Sequence, residues 1–297
     1  LSITRFGQRM RAVYPCLRHP SVSLIIPTRD GYSYLYPCIE SLLKTDYPHF
    51  EIIVVDNAST CQDTLSYLAK LETKGVRVLR WPYPFNYSAI NNFAVSFSQS
   101  ELICLINNDI EAPDPSWLSA MVSHMLRDGV GAVGAKLLWP NGMVQHAGVL
   151  PGLHGLAGHV GNNWINEDVG YCGIAKHVRS VSAVTAACLL VGRQDYLDLG
   201  GLDASAFPVA FNDVDFCFRL RQTGKRIVYT PEATLLHAES ATRGKDDIAP
   251  TRARLDREKN NLLHRWKDQL FNDPYYNPNL NLDRYSHNGL ALPPRHL

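Results

Sequence analysis

The sequence predicts an α/β fold in which a mostly parallel central sheet is flanked by helices. Three observations lead to this prediction. Short apolar runs of strand length alternate with amphipathic segments of helix length, which is typical of βαβ units. Four of the runs end in polar or turn residues, as expected where strands lead to a ligand site. The 297 residues, 45% of them hydrophobic, suffice to bury a large core.

Five apolar runs predict the strands of the sheet. Each run is short and is separated from the next by turn residues or a helical segment, which is the pattern of a strand buried on both faces. The runs lie at 22–26, 51–55, 76–79, 102–106 and 130–137. Between them, apolar residues recur with helical spacing and predict helices. These helices lie around 35–43, 65–71, 88–97 and 117–126.

The pattern changes after the fifth predicted strand. Residues 139–180 are rich in Gly, His and Asn and hold no period, and a loop of this length is usually functional or disordered. A strand-like run follows, and after it we expect two helices, a short strand and a charged amphipathic helix. These elements lie at 181–191 (strand), 194–199 and 212–223 (helices), 226–229 (strand) and 253–270 (amphipathic helix).

Composition excludes several classes of protein. Lysine and arginine number 29 against 28 aspartate and glutamate, and a net charge of +1 lacks the basic field of a nucleic-acid-binding protein. The longest apolar stretch, 181–191, is shorter than the about 20 residues that span a bilayer. The seven cysteines have irregular spacing and no C-x-x-C pair, which favours a reducing compartment, so we expect a cytoplasmic protein. The chain does not begin with Met, and we expect it to be a fragment of a longer protein.

Acidic residues follow the fourth strand and open a later helix. Asn107, Asn108 and Asp109 come directly after an apolar run, where a carboxylate can hold a divalent cation that binds a diphosphate. The same residues also suit a plain turn. Asp213 and Asp215 open a predicted helix, so that one can cap the helix while the other faces a cleft as a general base. Alternatively, both can serve the helix terminus.

Two further segments carry candidate binding residues. Asp56 and Asn57 follow the second strand, where a carboxylate can accept a hydrogen bond from a base or a ribose hydroxyl, or can cap the next helix. His237 can ligate a metal as a neutral imidazole, and Arg243 offers a guanidinium that fits phosphate. His146 and the other histidines of the long loop lack zinc spacing, and we interpret that loop as a lid.

Three sequence motifs, two for nucleotide binding and one for a catalytic serine, are absent from the sequence. No G-x-G-x-x-G follows the first strand, and neither G-x-x-x-x-G-K-[ST] nor G-x-S-x-G occurs. Rossmann dinucleotide, P-loop and α/β-hydrolase assignments therefore lose their main support.

Six segments with strand ends or polar clusters follow one another along the chain: SLIIPTRD (23–30), IIVVDNAS (52–59), FNYSAINN (85–92), LINNDIE (105–111), FNDVDFCFR (211–219) and LLHAESATRG (235–244). Taken in order, they resemble the inverting family 2 glycosyltransferases with the GT-A fold, among them bacterial polysaccharide and O-antigen transferases, including rhamnosyltransferase-like members. The resemblance implies a nucleotide-sugar-binding half and an acceptor-binding, catalytic half of one domain, between an N-terminal extension and a C-terminal helix and tail. The expected bounds are 21–137 and 138–245 for the halves, 1–20 for the extension and 246–297 for the helix and tail.

The resemblance also implies a role for each matching residue. The residues that would bind the donor are Pro27, Thr28, Arg29, Asp30, Asp56, Asn57, Asn86, Asn91, Asn108 and Arg243. Asp109 and His237 would hold Mn²⁺ or Mg²⁺, and Asp213 would be the general base. The residues on the acceptor side would be Trp139, His146, Trp164, Asn212 and Asp215.

The implied reaction is inverting transfer of a sugar from a UDP- or dTDP-linked donor to a hydroxyl of a growing bacterial surface glycan, which can be lipid-linked. The metal would neutralise the leaving diphosphate, and Asp213 would take the proton of the attacking hydroxyl. Two positions depart from the family pattern. Asn107 replaces the first carboxylate of the D-x-D segment, and Asn212 replaces the Glu of the E-D pair.

Two other functions compete with this interpretation. A nucleotidyltransferase would also use an α/β sheet and a metal, but the segment PTRDGYSY after the first strand is poor in Gly. A non-catalytic carbohydrate-binding or assembly module with a degenerate donor site would explain Asn107 and Asn212, whereas Asp109, Asp213 and His237 together argue for catalysis.

The basic amphipathic helix at 253–270 has two interpretations of its own. Such a helix can lie on a membrane, which would place the protein at the inner face of the cytoplasmic membrane. It can also pack on its own domain or toward a partner domain. We prefer packing, because a solvated helix on a domain surface has the same charge pattern.

Overall fold

The computed structural model describes residues 2–6, 9–238, 249–283 and 287–295. The strands in these segments are β1 (Ser2–Phe6), β2 (Arg9–Val13), β3 (Val22–Thr28), β4 (Phe50–Asp56), β5 (Arg77–Arg80), β6 (Leu102–Ile106), β7 (Ile110–Glu111), β8 (Val130–Leu138), β9 (Val144–His146), β10 (Val149–Pro151), β11 (Ala157–His159), β12 (Arg179–Val181), β13 (Cys188–Gly192) and β14 (Arg226–His237). The α-helices are α1 (Tyr32–Leu42), α2 (Gln62–Thr73), α3 (Tyr87–Ser96), α4 (Trp117–Met125), α5 (Arg193–Asp198), α6 (Asn212–Gln222) and α7 (Ala249–Phe271).

Ten of these strands form one mixed sheet. Its order is β12-β14-β8-β13-β6-β3-β4-β5, with β7 paired to β14 and β9 paired to β8. Strands β6, β3, β4 and β5 are parallel neighbours, and β8 is parallel to β14. Strand β13 runs antiparallel between β6 and β8. The α/β prediction is confirmed, and the strands that follow β8 in the chain supply the antiparallel pairs.

The strand sequences are apolar in continuous runs because both faces of the sheet are covered. In β4, Ile53 and Val55 enter one apolar cluster, while Ile52 and Val54 enter the other. Each of these side chains is at most 3% exposed. Full burial of such a side chain contributes about 1.5–3 kcal/mol. Packing on both faces thus fixes the sheet, and with it the polar residues at the strand ends.

The predicted strand at 181–191 divides into two strands. Strand β12 ends at Val181 and β13 begins at Cys188. The connection between them brings Ala186 and Ala187 to the wall of a cleft. The apolar run did not reveal this break, because the connecting residues are buried just as the strand residues are.

Strand β14 continues to His237 instead of ending near Tyr229. Its register against β8 shifts between Thr230 and Thr234. Pro231 lies inside this irregularity, where its lack of an amide hydrogen is tolerated. The extension matters because the last residues of β14 pair with β7.

The C-terminal helix α7 packs on the domain along its apolar side. Leu262, Trp266 and Leu270 are at most 4% exposed and share an apolar cluster with Phe216 and Phe218 of α6. This packing supports the interpretation of a helix that is docked on its own domain.

Among the described residues, none of the helices combines the length and the apolar character that a membrane span needs.

Candidate active site

A cleft of about 780 Å³ opens at the carboxyl ends of β3 and β6. The loop before β13, the first turn of α6 and the start of α7 complete its wall. Ligand sites of open α/β sheets are expected at this edge. The predicted residues that the cleft brings together are Pro27, Thr28, Arg29, Asp30, Asn57, Asn108, Asp109, Asn212, Asp213 and His237.

The pairing of β7 with β14 brings Asp109 beside His237. His237 faces Ile110 in the antiparallel register, and the Ala238 amide donates to the Asp109 carbonyl oxygen at 3.1 Å. As a result, His237 Nε2 lies 3.2 Å from Asp109 Oδ1. Two side chains that are far apart in the sequence thus meet because two short segments share a register.

Asp109 and His237 form a donor set that fits a divalent cation. They are 8% and 5% exposed, respectively, and both line the cleft. Asp109 Oδ1 is buried and has no hydrogen-bond partner among the described residues. A carboxylate oxygen and an imidazole nitrogen suit Mn²⁺, and such ions usually complete their shell with substrate phosphates and water. The described segments contain no group of three or more His, Cys, Asp and Glu that could hold a metal ion.

Asn107 supplies a neutral neighbour to this pair. Its Nδ2 lies 3.2 Å from His237 Nε2, and its Oδ1 lies 3.2 Å from the Tyr87 hydroxyl. The amide of Asn107 is neutral, so it adds no negative charge beside a cation. A metal bound to His237 Nε2 would replace the hydrogen bond that Asn107 makes with this nitrogen.

Polar residues after β3, β4 and β6 form another part of the cleft. Asn108 Nδ2 donates to Thr28 Oγ1 at 3.0 Å. Asn57 Nδ2 donates to the carbonyl oxygens of Trp81 and Tyr83 at 3.0 and 2.8 Å. These bonds fix the Asn57 amide, whose Oδ1 is buried without a partner among the described residues. The cleft therefore contains a fixed acceptor of the kind that a base or a sugar hydroxyl can use.

Asp30 joins two strand-end loops across the cleft. Its Oδ1 accepts hydrogen bonds from the backbone amides of Cys61 and Thr60 at 2.7 and 2.8 Å. These hydrogen bonds, chiefly the one from Cys61, lower the pKa of the Asp30 carboxyl. Asp30 itself adopts the left-handed conformation, with φ 52°. Its carboxylate is thus an anion that is engaged in holding the loop.

Both carboxylate oxygens of Asp56 have partners within the protein. Its Oδ1 accepts from the Ser59 amide at 3.1 Å, and its Oδ2 accepts from Arg80 Nη1 at 2.5 Å. The residue is 2% exposed and does not line the cleft. A contact of Asp56 with a nucleobase stays a prediction, and it would require this ion pair to open.

Asp213 lies in the first turn of α6 and faces the loop before β13. The preceding Phe211 has a φ of 60°, a left-handed conformation that costs a non-Gly residue about 1–3 kcal/mol and is often found at functional sites. Asp213 Oδ2 accepts from the Ala186 amide at 3.0 Å, and Oδ1 accepts from the Val214 amide at 2.8 Å. A carboxylate has about four acceptor sites, so Asp213 keeps capacity for a proton or a hydroxyl. Asn212 beside it donates to the Val209 carbonyl oxygen at 2.8 Å.

Asn86 and Asn91 organise helix α3 instead of lining the cleft. Asn86 caps the helix, since its Oδ1 accepts from the Ala89 amide at 2.9 Å, while its Nδ2 donates to the Ala204 carbonyl oxygen at 3.0 Å. Asn91 is fully buried and donates to the Tyr87 carbonyl oxygen at 2.8 Å. Both side chains thus serve the fold, and direct donor contacts of these two residues stay a prediction.

Trp139 and Trp164 likewise lie outside the cleft. Trp139 Nε1 donates to Asn162 Oδ1 at 3.0 Å. The Trp164 ring packs on the core and fills the space that Gly161 and Gly170 leave, because a Cβ at Gly170 would come within 2.3 Å of the ring. Both rings stabilise the 139–180 segment, and their assignment to the acceptor side stays a prediction.

His146 and Asp215 are both fully buried and do not line the cleft. Burial, together with the positive potential of nearby histidine and arginine side chains, lowers the pKa of His146 well below its usual range. Asp215 accepts hydrogen bonds from Arg219 Nε, Arg265 Nη1 and Trp266 Nε1 at 2.8, 2.8 and 2.9 Å. Their assignment to the acceptor side stays a prediction, and the hydrogen bonds of Asp215 join α6 to α7.

Arg243, the predicted diphosphate contact, lies outside the described residues.

The structure adds Tyr87 and Arg254 to the cleft. The Tyr87 hydroxyl lies 3.1 Å from the Ala186 carbonyl oxygen, and burial raises its pKa far above the usual range. Arg254 Nε donates to Glu258 Oε2 at 3.3 Å, and Glu258 Oε1 in turn accepts from the Val209 amide at 2.7 Å. Tyr87 lies in the segment FNYSAINN, in which the asparagines, and not the tyrosine, were assigned to donor binding. The charge pattern of α7 did not single out Arg254, because only the packing of this helix shows which of its charged residues reach the cleft.

The fold is that of the GT-A glycosyltransferases, as two solved structures show. A mannosyltransferase from Pyrobaculum calidifontis, solved with GDP-Man and Mn²⁺, has 16% identity and a TM-score of 0.58, over 78% of this chain and 61% of that chain. GalNAc-T7, solved with UDP, GalNAc and Mn²⁺, has 14% identity and a TM-score of 0.65, over 86% of this chain and 49% of that chain. The chain belongs to glycosyl transferase family 2, whose family model matches residues 23–174.

Two longer bacterial proteins contain a region similar to almost the whole chain. An uncharacterized protein of Sinorhizobium fredii, y4gI, is 48% identical over 92% of this chain and 30% of its own length. The O-antigen biosynthesis protein RfbC of Myxococcus xanthus is 40% identical over 92% of this chain and 21% of its own length. The chain thus spans less than a third of either relative.

Proposed function

We propose that this domain transfers a sugar, with inversion, from a UDP- or dTDP-linked donor to a hydroxyl of a bacterial surface glycan, with Mn²⁺ or Mg²⁺ as cofactor. The observation that carries the proposal is one cleft in which the Asp109–His237 pair and the Asp213 carboxylate both form the wall. The similarity to an O-antigen biosynthesis protein supports the acceptor class. The Mn²⁺ and nucleotides in the structural neighbours support the donor class.

The donor would lie between the β4 end of the cleft and the Asp109–His237 pair. Asn57 Oδ1 would accept a hydrogen bond from the base or ribose, since it is buried, fixed and without a partner among the described residues. The diphosphate would bind near Asp109 and His237, with the Arg254 guanidinium as a further cationic contact. Arginine suits this role because its fork of N–H groups matches phosphate oxygens.

A divalent cation at this pair would supply a Lewis acid that stabilises negative charge on the leaving diphosphate. Asp213 accepts the proton of the acceptor hydroxyl while the hydroxyl oxygen attacks the anomeric carbon. The bond from that carbon to the diphosphate oxygen breaks with its electron pair on the diphosphate. Attack from the opposite side inverts the carbon. Because the neighbour of Asp213 is the amide of Asn212, a single carboxylate takes the proton.

The cellular setting follows from the proposed substrates. Sugar nucleotides are made in the cytoplasm, and a lipid-linked acceptor would bring the enzyme to the inner face of the cytoplasmic membrane. We further propose that residues 21–137 mainly bind the donor and residues 138–245 mainly bind the acceptor. The two parts share one sheet, so an acceptor can be held directly opposite the donor.

Thermal stabilisation by nucleotides tests the donor site. UDP, dTDP, GDP and CMP are each added with and without Mn²⁺ to the wild type, to Asp109→Asn and to the control Asp114→Asn. Asp114 is an exposed residue that caps a turn through Ser116 and does not line the cleft. A nucleotide at 100 times its Kd stabilises the folded state by about 2.7 kcal/mol.

The proposal predicts that one nucleoside diphosphate stabilises the wild type and Asp114→Asn in a Mn²⁺-dependent way. In Asp109→Asn the Mn²⁺-dependent part should disappear. If no nucleotide stabilised the wild type, or if Mn²⁺ made no difference, the proposed donor site would be refuted.

A further inference from the structure

We propose that Gln145 is a positioning residue that holds His237 in the tautomer that binds the metal. The inference rests on the proposed function, because it concerns a cation at Asp109 and His237. Gln145 lies in β9, is fully buried and does not line the cleft. It reaches the site through His237, whose ring and backbone it contacts.

Two contacts fix the orientation of both side chains. Gln145 Nε2 lies 3.4 Å from the His237 backbone oxygen, and Gln145 Oε1 lies 2.6 Å from His237 Nδ1. A backbone oxygen only accepts, so the amide nitrogen of Gln145 must face it. The amide oxygen then faces Nδ1, and because that oxygen also only accepts, Nδ1 carries the proton. In the neutral imidazole the lone pair is then on Nε2, which lies 3.2 Å from Asp109 Oδ1.

A β-bulge directs Gln145 toward His237. In the pairing of β8 with β9, Leu137 faces His146 and Leu138 faces Val144. Gln145 is thus the extra residue at the register shift, between His146 and Val144. Bulges of this kind occur next to active sites, where they change the direction of a side chain. The irregularity therefore has a local consequence, which is to place an amide behind the imidazole.

The opposite tautomer would close the metal site. If the proton were on Nε2, that nitrogen would have no lone pair for a cation, and its N–H would lie beside Asp109 Oδ1, 3.2 Å away. The imidazole would then be lost as a metal ligand. Gln145 disfavours this state, because its oxygen would then face an Nδ1 without a proton. Partners behind a metal-bound histidine typically change metal affinity by 10–100-fold.

The test compares two substitutions with opposite expected results. Gln145→Met has a similar size and removes both polar contacts, whereas Gln145→Glu keeps an acceptor for the Nδ1 proton. Asn92→Leu serves as the control, since Asn92 also makes amide hydrogen bonds, to Leu202 and Tyr196, away from the cleft. Electron paramagnetic resonance measures the Kd of Mn²⁺, alone and with UDP. Nitrogen NMR of the ¹⁵N-labelled imidazoles reports the His237 tautomer in metal-free protein, with His237→Asn used for the assignment.

We expect Gln145→Met to weaken Mn²⁺ binding by about 10–100-fold and to shift His237 toward the Nε2-protonated tautomer. Gln145→Glu and Asn92→Leu should keep the wild-type tautomer and bind Mn²⁺ within a few-fold of wild type. A Gln145→Met protein with wild-type affinity or an unchanged tautomer overturns the inference. If that variant does not fold, Gln145→Asn, whose shorter side chain cannot span both contacts, takes its place with the same expectation.

The Mn²⁺-binding and NMR measurements distinguish a failure of the proposed function from a failure of the role assigned to Gln145. A wild type that binds no Mn²⁺ refutes the proposed function and the metal part of this inference together. A wild type that binds Mn²⁺ but holds His237 with its proton on Nε2 overturns only the assignment to Gln145.

Discussion

Replacing Asp213 by Asn removes the proposed base while keeping the size of the side chain. The carboxylate accepts from the backbone amides of Ala186 and Val214. An Asn side chain has one acceptor oxygen, so it keeps one of these bonds and turns its NH₂ group toward the other amide. Losing a hydrogen bond to a charged group costs about 1.5–3 kcal/mol of folding stability. Losing general-base catalysis costs about 10²–10⁴-fold in rate, or roughly 2.7–5.4 kcal/mol of activation free energy.

The assay is the release of nucleoside diphosphate from the preferred sugar nucleotide, measured as kcat beside the Kd of the nucleotide. We expect Asp213→Asn to lose at least 100-fold in kcat with the Kd almost unchanged. Asp203→Asn is the matched control, because Asp203 accepts from the Ser205 and Ala206 amides and pairs with Arg265 outside the cleft. It should lose stability but not kcat. Normal turnover by Asp213→Asn, or an equal loss in both variants, would refute the assignment of the base.

Three other predictions follow from the described contacts. Asp215→Asn should lower the free energy of unfolding by about 3 kcal/mol, because Arg219 and Arg265 lose a buried partner, yet nucleotide affinity should not change; a weaker affinity would return Asp215 to the site. Burial lowers the pKa of Lys136 to about 8. As the pH rises, the folded state therefore loses this proton before the unfolded state does. Urea unfolding should show a free energy of unfolding that rises between about pH 8 and 10 by at most about 1.4 kcal/mol per pH unit. Lys136→Met should flatten that rise, and an unchanged slope would contradict the assignment. Arg254→Met should weaken Mn²⁺-nucleotide binding about tenfold or more without altering the free energy of unfolding by a similar amount, and unchanged binding in a calorimetric titration would remove Arg254 from the donor site.

The residues at the strand ends could be predicted from the sequence because their position depends only on the sheet. Thr28, Asn57 and Asn108 each follow or end an apolar run, and parallel strands bring their carboxyl ends to the same edge. The family resemblance then assigned Asp109, His237 and Asp213 to the same site. The structure brings all of these residues into one cleft.

Residues that serve packing or register could not be predicted in this way. Trp164 and Asp215 are of residue types that often bind ligands. The Trp164 ring, however, packs against neighbouring glycines, and two arginines pair with the Asp215 carboxylate. Gln145 carried no signal, because its effect depends on a bulge in the register between β8 and β9. Arg254 reaches the cleft through the packing of a helix that is remote in sequence. These features depend on contacts between distant segments, which periodicity and spacing do not report.

The most direct test of the proposed function is to supply a panel of UDP-, dTDP- and GDP-sugars and to measure nucleoside diphosphate release. The measurement is made with Mn²⁺ and again in excess chelator, for the wild type and for Asp109→Asn. We predict release from one class of donor that requires Mn²⁺ and is lost in Asp109→Asn. A wild type that binds the nucleotide but releases none from any donor would instead be a non-catalytic module. Release that persists unchanged in chelator would contradict the metal site at Asp109 and His237.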